Sequence, residues 1–240
     1  MTAPDLSKLY DLIDQSWPAA ERRSIGPWTI RRGDGGGSRV SSATVTGPAG
    51  GDDLAMAEDA MRDLGQTPQF MIRVGDDNLD QTLEAAGYAV KDPTALMAAP
   101  VAAIATERPK TLSSFAVSSP LACQRSVWAA GGIGSERLAV MDRCKLTKTT
   151  LLGRRSETPA GAAFVAADGP HAMLHALEVA TPHRRTGLGR DMTVSAAFWA
   201  KAQGAQWFTL LVTRANEGAI ALYSSLGMSV VGQYHYRIKQ

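Results

Sequence analysis

The sequence has little of what marks several large protein classes. Its 240 residues include two cysteines, Cys123 and Cys144, too few for a disulfide framework or a cysteine metal site. Aromatic residues make up only 6% of the chain. The longest apolar run, residues 95–105, is interrupted by Pro100 and is far shorter than the roughly 20 residues of a membrane span. Residues 1–12 lack the apolar core of a signal peptide. We therefore expect a soluble, cytoplasmic protein with no metal and no membrane partner. Its cysteines are expected to be reduced, and a single Cys123–Cys144 bridge is the alternative.

Excess charge of one sign is also missing. The formal net charge is +2, and the basic residues are scattered as pairs rather than gathered in a stripe. Nucleic-acid-binding proteins usually carry such a stripe, so no nucleic-acid partner is expected. Hydrophobic residues at 45% and charged residues at 20% are ordinary for a globular protein. The length fits one large domain or two small ones.

The C-terminal half shows a regular alternation of strand and helix patterns. Two apolar runs flank Asp168-Gly169, which predicts a β-hairpin. Helical periodicity from Leu188 onward ends near Gly204. Apolar residues then predict a strand covered on both faces, and a helix with Asn216 as its N-cap follows. The remaining predicted elements are a turn at residues 154–161, a helix end at Gly227, and two last strands at residues 228–231 and 233–238.

The N-terminal half repeats part of this order. A helix pattern at residues 54–64, an apolar run at 69–74 and a second helix pattern ending at Gly87 match elements of the C-terminal half. This alignment pairs Leu83 with Tyr223, Leu79 with Ala219 and Asp76 with Asn216. A strand-like segment, residues 39–45, leads into the glycine-rich segment 47–51. An accidental similarity between two α/β segments is the alternative to a true duplication.

Two segments are typical of loops, residues 32–37 with four glycines and residues 100–119. The second lies near the midpoint of the chain. We therefore predict two domains, residues 1–108 and residues 109–240, of an α/β (α+β) class.

The residues that most clearly indicate a binding site lie in one short segment, residues 184–190, with the sequence Arg-Arg-Thr-Gly-Leu-Gly-Arg. It follows a predicted strand and begins the long helix, so free backbone amides and the positive end of the helix dipole would meet there. Arginines add charge, and the segment therefore predicts an anion site suited to a phosphate or pyrophosphate. It lacks the lysine of a Walker loop and the third glycine of a dinucleotide fingerprint. An ordinary strand–helix turn with surface arginines is the alternative.

The residues around this segment resemble the GNAT superfamily of N-acetyltransferases. Arg184-x-x-Gly187-x-Gly189 is similar to the family's acetyl-CoA signature. The segment Leu177-Glu178-Val179 resembles its fourth strand. Its second cofactor motif is matched by Asn216, Ala219, Leu222, Tyr223, Leu226 and Gly227, although Met228 replaces the usual phenylalanine. The resemblance covers residues 160–240, and the N-terminal half resembles a degenerate copy without the glycine signature.

The resemblance implies a tandem protein of two GNAT-like domains, each with a mixed, mostly antiparallel sheet flanked by helices. It implies acetyl transfer from acetyl-CoA to a small-molecule or peptide amine, with Glu178 as the base and Tyr223 as the acid. The pantetheine arm would lie in a gap between two splayed strands. The residues expected to bind the cofactor are Leu177, Val179, Arg184, Arg185, Thr186, Gly187, Leu188, Gly189, Arg190 and Asn216.

Other roles stay open at the level of sequence. Tyr234 and Tyr236 should share one strand face and His235 the other, so the tyrosines are candidate acceptor contacts or packing residues. His171 and His175 are predicted to be strand or turn residues without a catalytic part. The glycine-rich segment 131–134 is expected to border helices near the acceptor cleft. A silent acyl-CoA-binding or regulatory module and a protein-interaction module are the alternatives to an enzyme. The acceptor and the oligomeric state are not predicted.

Overall fold

The protein was analysed as a computed structural model that describes residues 4–47, 49, 51–109 and 113–239. The first half contains α1 (Leu6–Ser16), β1 (Glu21–Ile25), β2 (Trp28–Arg32), α2 (Ser38–Ser41), β3 (Thr44–Val45), α3 (Gly51–Asp63), β4 (Gln69–Arg73), α4 (Asp77–Ala85), β5 (Ala89–Pro100) and α5 (Val101–Ile104). The second half contains β6 (Ser114–Val117), α6 (Ala122–Ala130), α7 (Ser135–Arg143), β7 (Thr147–Arg155), β8 (Thr158–Asp168), β9 (His171–Val179), a 3-10 turn (Thr181–His183), α8 (Leu188–Ala202), β10 (Trp207–Thr213), α9 (Glu217–Ser225) and β11 (Ser229–Ile238).

The strands form two sheets. A small sheet has the order β1-β2-β3, and a large sheet of eight strands has the order β4-β11-β5-β10-β9-β8-β7-β6. In the large sheet β9 and β10 are parallel, whereas the other neighbours are antiparallel. Helices cover both faces, so the predicted α/β class with mostly antiparallel strands is confirmed. The hairpin at Asp168-Gly169 joins β8 to β9 as expected.

The two halves interlock within the large sheet. Strand β5 of the first half lies between β10 and β11, and β11 of the second half lies between β5 and β4. Strand β4 of the first half corresponds to β10 of the second, and β5 corresponds to β11. When each strand is replaced by its counterpart, the order β4-β11-β5-β10 becomes β10-β5-β11-β4, which is the same order in reverse. The four strands are therefore related by a pseudo-twofold axis. Each half therefore completes the sheet of the other, a feature that the sequence pattern does not reveal.

The predicted repeat appears as matching local structure. Helices α4 and α9 have nine residues each, and Leu83 and Tyr223 occupy the same position in them, both buried. After each helix the chain turns in the same way, because Tyr88 N donates to Leu83 O and Met228 N donates to Tyr223 O. The glycines in these turns, Gly87 and Gly227, have φ values of 81° and 83°. Such positive φ angles favour glycine.

One expectation about the C-terminus is wrong. Residues 228–231 and 233–238 do not form two strands, because β11 runs without a break from Ser229 to Ile238. Irregular register against β5 around Gly232 accommodates the glycine within the strand. A Cβ at Gly232 would lie 2.4 Å from Cδ1 of Leu6. The glycine therefore lets α1 pack against the strand and does not end it.

Two further expectations are wrong in part. Residues 100–119 are not a simple linker, since they include α5 and β6, and β6 pairs with β7 at the edge of the sheet. Residues 39–45 are not a strand throughout, since α2 takes up the first three of them and only Thr44–Val45 forms a strand. Strand pairing and packing against distant residues determine the secondary structure of both segments. Within the predicted segments 47–51 and 100–119, residues 48, 50 and 110–112 lie outside the described part of the chain.

A buried ion pair connects α1 to the small sheet. Arg31 of β2 is 1% exposed and makes two hydrogen bonds to the Asp14 carboxylate, at 3.1 and 2.8 Å. Arg73 and Arg22 approach the same carboxylate at 3.5 and 3.4 Å. Burial raises the pKa of Asp14, but the three guanidinium groups outweigh burial and hold the pKa below its ordinary value.

We predict that Asp14→Asn lowers the free energy of unfolding by about 3–5 kcal/mol, because Arg31 would stay buried without its counter-charge. Urea denaturation measures this, with Asp11→Asn on the exposed side of α1 as the control. A carboxylate with a lowered pKa stabilises the fold above its unfolded-state pKa of about 4, and this contribution is lost as the pH falls through the folded-state value. The variant should lack this part of the acid dependence. Equal effects of the two substitutions would contradict the assignment.

Candidate functional site

The central feature of the site is a gap between β9 and β10. Their parallel pairing runs from Trp207 opposite His171 to Leu210 opposite Leu174 and then stops. Beyond that point β9 contains a bulge at Ala176, whose φ of 49° is unusual for a residue other than glycine. The Trp128 indole N–H donates to the Ala176 carbonyl at 2.8 Å and holds the bulge. The ends of the two strands therefore diverge, as the family resemblance implied.

The loop before α8 ends in left-handed backbone at Arg185 and Gly187, with φ values of 61° and 83°. Gly187 is the N-cap of α8, so the free amides of the first helical turn follow it directly. Gly189 serves a different purpose, because a Cβ there would lie 3.3 Å from Leu222 of α9. One glycine permits the turn and the other permits close packing of α8 and α9.

A cavity of about 630 Å³ lies where this loop, β9 and α9 meet. All the residues predicted to bind the cofactor line it except Thr186. Its other lining residues include Glu178, His183, Gly218, Ala219, Ala221, Leu222 and Tyr223. The cavity combines three arginines and a helix N-terminus at one end with apolar side chains towards the strands, which suits a long ligand with an anionic end.

Thr186 supports the loop instead of lining the cavity. Its hydroxyl donates to His183 O at 2.7 Å and accepts from Arg155 Nε at 3.1 Å. Arg155 at the end of β7 also donates to Thr186 O and to the Asp191 carboxylate, both at 3.0 Å. Sequence reasoning missed Arg155, because it is 31 positions from Thr186 and no local pattern links the two.

Glu178 lies on β9 with its carboxylate 2.9 Å from Arg184 Nη2. The Arg184 Nε also donates to the Val179 carbonyl at 2.9 Å, so the arginine is held against the strand. The Glu178 side chain packs over Gly131, where a Cβ would lie 2.5 Å from Glu178 Cδ. The glycine-rich segment 131–134 joins α6 to α7 and thus borders the site, in agreement with the sequence analysis.

Tyr223 and Asn216 lie on the opposite side of the gap. Burial of Tyr223 raises the pKa of its phenol to about 12, so the hydroxyl keeps its proton at neutral pH. The Asn216 side chain accepts from Ala219 N at 3.1 Å, which makes it the N-cap of α9 as predicted. Asn216 also lines the cavity, so both functions expected of it are compatible with its position.

Two smaller cavities continue from the large one. A cavity of about 180 Å³ between β9 and β10 shares Leu177, Asn216, Ala219 and Tyr223 with it. A further cavity of about 240 Å³ shares Arg39, His175, Ala176 and Thr213 with this second one. The gap therefore connects the cofactor-sized cavity with a pocket on the other side, which we call the front pocket. The front pocket is lined by Trp17, Gly36, Gly37, Ser38, Arg39, Asp92, Thr94, Ile133, Arg137, His175, Ala176, Thr213, Tyr234 and Tyr236.

The front pocket contains two of the three aromatic residues singled out near the C-terminus. Tyr234 and Tyr236 face it, with ring centroids 5.4 Å apart. His235 points away and lies 2.8 Å from the Asp80 carboxylate. The alternation expected of a strand is therefore confirmed.

Sequence reasoning missed most of the front pocket. His175 is the clearest case, since it was expected to be an ordinary strand residue. Its Nε2 lies 2.8 Å from Ser16 Oγ, and its Nδ1 lies 3.1 Å from Arg39 Nη1. Burial lowers the pKa of His175 well below its ordinary value, and the nearby Arg39 charge lowers it further. The ring is therefore neutral. Because Arg39 can only donate, Nδ1 accepts and Nε2–H donates to Ser16.

In the part of the chain that the structure describes, three or more His, Cys, Asp or Glu residues never come together as a metal site. Over the same residues, no helix combines the length and apolar character needed to cross a membrane. Cys123 and Cys144 are both free thiols.

Comparison with known proteins agrees with this geometry. Residues 133–228 match the Acetyltransferase (GNAT) family. The chain is 30% identical over 249 residues to the uncharacterized N-acetyltransferase YobR of Bacillus subtilis, covering 98% of this chain and 99% of that protein. This similarity includes the N-terminal half, which lies outside the family match.

Solved structures share the whole architecture. A GCN5-related N-acetyltransferase from Kribbella flavida superposes with a TM-score of 0.71 at 17% identity, covering 99% of this chain and 96% of that one. A tandem GNAT protein from the clavulanic acid biosynthesis pathway superposes with a TM-score of 0.60 at 12% identity, covering 100% and 89%. The sequence match over the full length, together with the fold, shows that the chain belongs to the GNAT acetyltransferase family.

Proposed function

We propose that the protein is an N-acetyltransferase that moves an acetyl group from acetyl-CoA to an amine by direct attack. The observation that carries the proposal is a row of three adjoining cavities with shared lining residues, which marks a path from the loop before α8, across the gap between β9 and β10, to the front pocket. A module that only bound acyl-CoA would need the first cavity but not the last. The path gives an amine access to a thioester held in the gap.

The residues fit acetyl-CoA in two respects. The amides around Gly187 and the charges of Arg184, Arg185 and Arg190 suit the pyrophosphate. The unpaired edge of β9 at Leu177 and Val179 can hydrogen bond to the amide groups of the pantetheine arm as an added strand would. When bound, acetyl-CoA supplies the thioester that is the acetyl donor.

Glu178 and Tyr223 are the proposed catalytic pair. The acceptor ammonium gives a proton to the Glu178 carboxylate, directly or through water, and the neutral amine attacks the thioester carbonyl. A C–N bond forms, the C–S bond breaks, and Tyr223 donates its phenolic proton to the departing thiolate. Arg184 now pairs with Glu178, and we propose that the cofactor pyrophosphate draws Arg184 away and frees the carboxylate.

We further propose that residues 1–108 and 109–240 are the two GNAT-like units, and that only the second binds the cofactor. The acceptor is a small-molecule or peptide amine, because the front pocket is compact. Two unpaired thiols support a cytoplasmic location, where cysteines stay reduced.

Gly187→Asp should abolish acetyl-CoA binding, because a carboxylate would stand where the anionic end of the cofactor is expected and glycine's positive φ would be strained. Isothermal titration or a thermal-shift assay measures the loss. Gly204→Asp is the matched control, since Gly204 follows the other end of α8 with a φ of 84°. It carries the same strain and should leave binding intact. Retained affinity in Gly187→Asp would mean that the loop does not bind the cofactor.

Tyr223→Phe should lower kcat by about 10²–10⁴-fold while the Kd for acetyl-CoA changes little, because the ring stays and only the proton donor is lost. Free-thiol release measures kcat, and titration measures the Kd. Ser224→Ala on the exposed side of α9 is the control. An unchanged kcat would remove Tyr223 as the acid.

Glu178→Gln should lower kcat/KM by a similar factor below the pKa of the acceptor amine, and activity should recover as the pH rises, because the free amine then needs no base. The pH profile of kcat/KM measures this. If the variant instead loses acetyl-CoA affinity at every pH and its profile keeps the wild-type shape, Glu178 only positions Arg184.

A further inference from the structure

The front pocket contains charges of both signs that do not neutralise each other. Arg39 and Arg137 line it together with Asp92. Among the described residues, neither Arg137 nor Asp92 takes part in an ion pair, and no carboxylate pairs with Arg39. Arg137 and Asp92 are exposed and stay solvated, whereas Arg39 is half-buried and has a buried Nε without a hydrogen-bond partner among the described residues. This buried donor next to the gap indicates that a ligand group binds Arg39, and Arg137 and Asp92 add one charge of each sign at the same pocket.

Arg39 is held in place at the inner end of the pocket. It lines both the front pocket and the cavity between β9 and β10, so it is next to the gap. Its Nη1 donates to His175, and its guanidinium lies over the Trp17 ring at 5.6 Å from the centroid. Its Nε is buried without a hydrogen-bond partner among the described residues. Leaving such a donor unsatisfied is costly, and an acceptor atom of a ligand would satisfy it.

The hydrogen bonds behind Arg39 fix its orientation. His175 accepts from Arg39 and donates to Ser16, and the Ser16 hydroxyl donates to the Leu12 carbonyl at 2.6 Å. The chain of bonds ends on α1, which belongs to the first half of the protein. A neutral His175 cannot serve as the counter-charge of Arg39. The guanidinium thus keeps its full positive charge towards the pocket.

Asp92 and Arg137 approach the pocket from different elements. Asp92 has left-handed backbone, with a φ of 47°, where β5 carries an extra residue opposite Tyr234 and Tyr236 of β11. Arg137 projects from α7 towards the loop of residues 32–37, and a Cβ at Gly37 would lie 3.5 Å from its Nη2. Two cations and one anion surround a space of about 240 Å³, below the usual 300–1,000 Å³ of pockets for drug-sized ligands.

We propose that the acceptor is a compact zwitterion, an amine that carries a carboxylate, as in an amino acid. Arg39 and Arg137 bind the carboxylate, and Asp92 attracts the ammonium form from solution. The inference rests on the proposed acetyl transfer and adds the chemical class of the acceptor. It also explains why the pocket needs the first half of the chain, which supplies Arg39 and Asp92.

The test compares three acceptors built on one carbon skeleton: phenylalanine, phenylalaninamide and phenethylamine. Thiol release from acetyl-CoA by the full chain gives kcat and KM for each. The amide and the simple amine lack the carboxylate but keep the reacting group. We expect kcat/KM for phenylalanine to exceed both by about ten- to hundredfold, the worth of a hydrogen-bonded charge. The same series with leucine and glutamate separates the carboxylate from side-chain preferences.

Substitutions in the front pocket show which residues cause the preference for an acceptor with a carboxylate. Arg137→Gln should raise the KM for the amino acid about tenfold or more and leave the KM for the amide unchanged. Arg137→Glu should reverse the preference in favour of the amine. Arg125→Gln, exposed on α6 and outside the pocket, is the control. Arg39→Gln should act like Arg137→Gln. If Arg39→Gln does not fold, Arg137→Gln still tests the proposal, because Arg137 is exposed and its substitution should not affect folding.

The inference is overturned if the amide or the amine is acetylated as well as the amino acid, or if Arg137→Gln changes all three KM values equally. It is also overturned if acetyl-CoA binds and none of the amino acids releases thiol. These results leave the proposed cofactor site intact. Failure of acetyl-CoA to bind the wild-type chain would instead contradict the proposed function.

Discussion

The site depends on the separation of β9 and β10. If their pairing continued past Leu210, the backbone groups of β9 would be satisfied within the sheet and no path would cross it. The bulge at Ala176 ends the pairing, and Trp128 fixes the bulge from the helix layer. Before the gap, the parallel pairing of β9 and β10 holds the two strands together. The two walls of the gap therefore start at a fixed distance from each other. Unpaired strand edges are usually a liability, but here the edge faces a cavity in which a ligand can pair with it.

The interlocked sheet gives the degenerate half a physical role. It has no glycine signature, yet its strand β5 lies between β10 and β11 and carries Asp92 into the front pocket. Helices α1 and α2 supply Ser16, Trp17 and Arg39 to the same region. A single GNAT-like unit would lack this wall. The proposed absence of cofactor binding in the first half is therefore compatible with strong dependence of the acceptor side on that half.

Two clusters of buried charge show the difference between a structural and a binding arrangement. Around Asp14 the carboxylate is matched by Arg31, which makes hydrogen bonds to Ser42 and Thr44 as well. That cluster connects α1 to β2 and leaves the Arg31 guanidinium well satisfied. Around Arg39, the buried Nε has no hydrogen-bond partner among the described residues, and Nη1 donates to the neutral His175 ring. Packing alone gains nothing from such an arrangement, since an unsatisfied donor destabilises the fold. A ligand group that accepts a hydrogen bond from Arg39 would account for the arrangement.

The sequence by itself predicted the loop and the helices that line the largest of the three cavities, and the family resemblance implied their role in binding acetyl-CoA. Residues 184–190, the helix that follows, Asn216 and Tyr223 lie within about 40 positions, and local rules for turns, caps and helix faces link them. The repeat was also readable in part, since α4 and α9 have the same length and are followed by the same turn. Tertiary structure decided the shared sheet, the unbroken β11 and the front pocket. There Trp17, Arg39, Asp92, Arg137 and His175 come from five separate elements or turns. No periodicity connects residues that meet only because strands from opposite halves pair, so long-range pairing had to be seen in the fold.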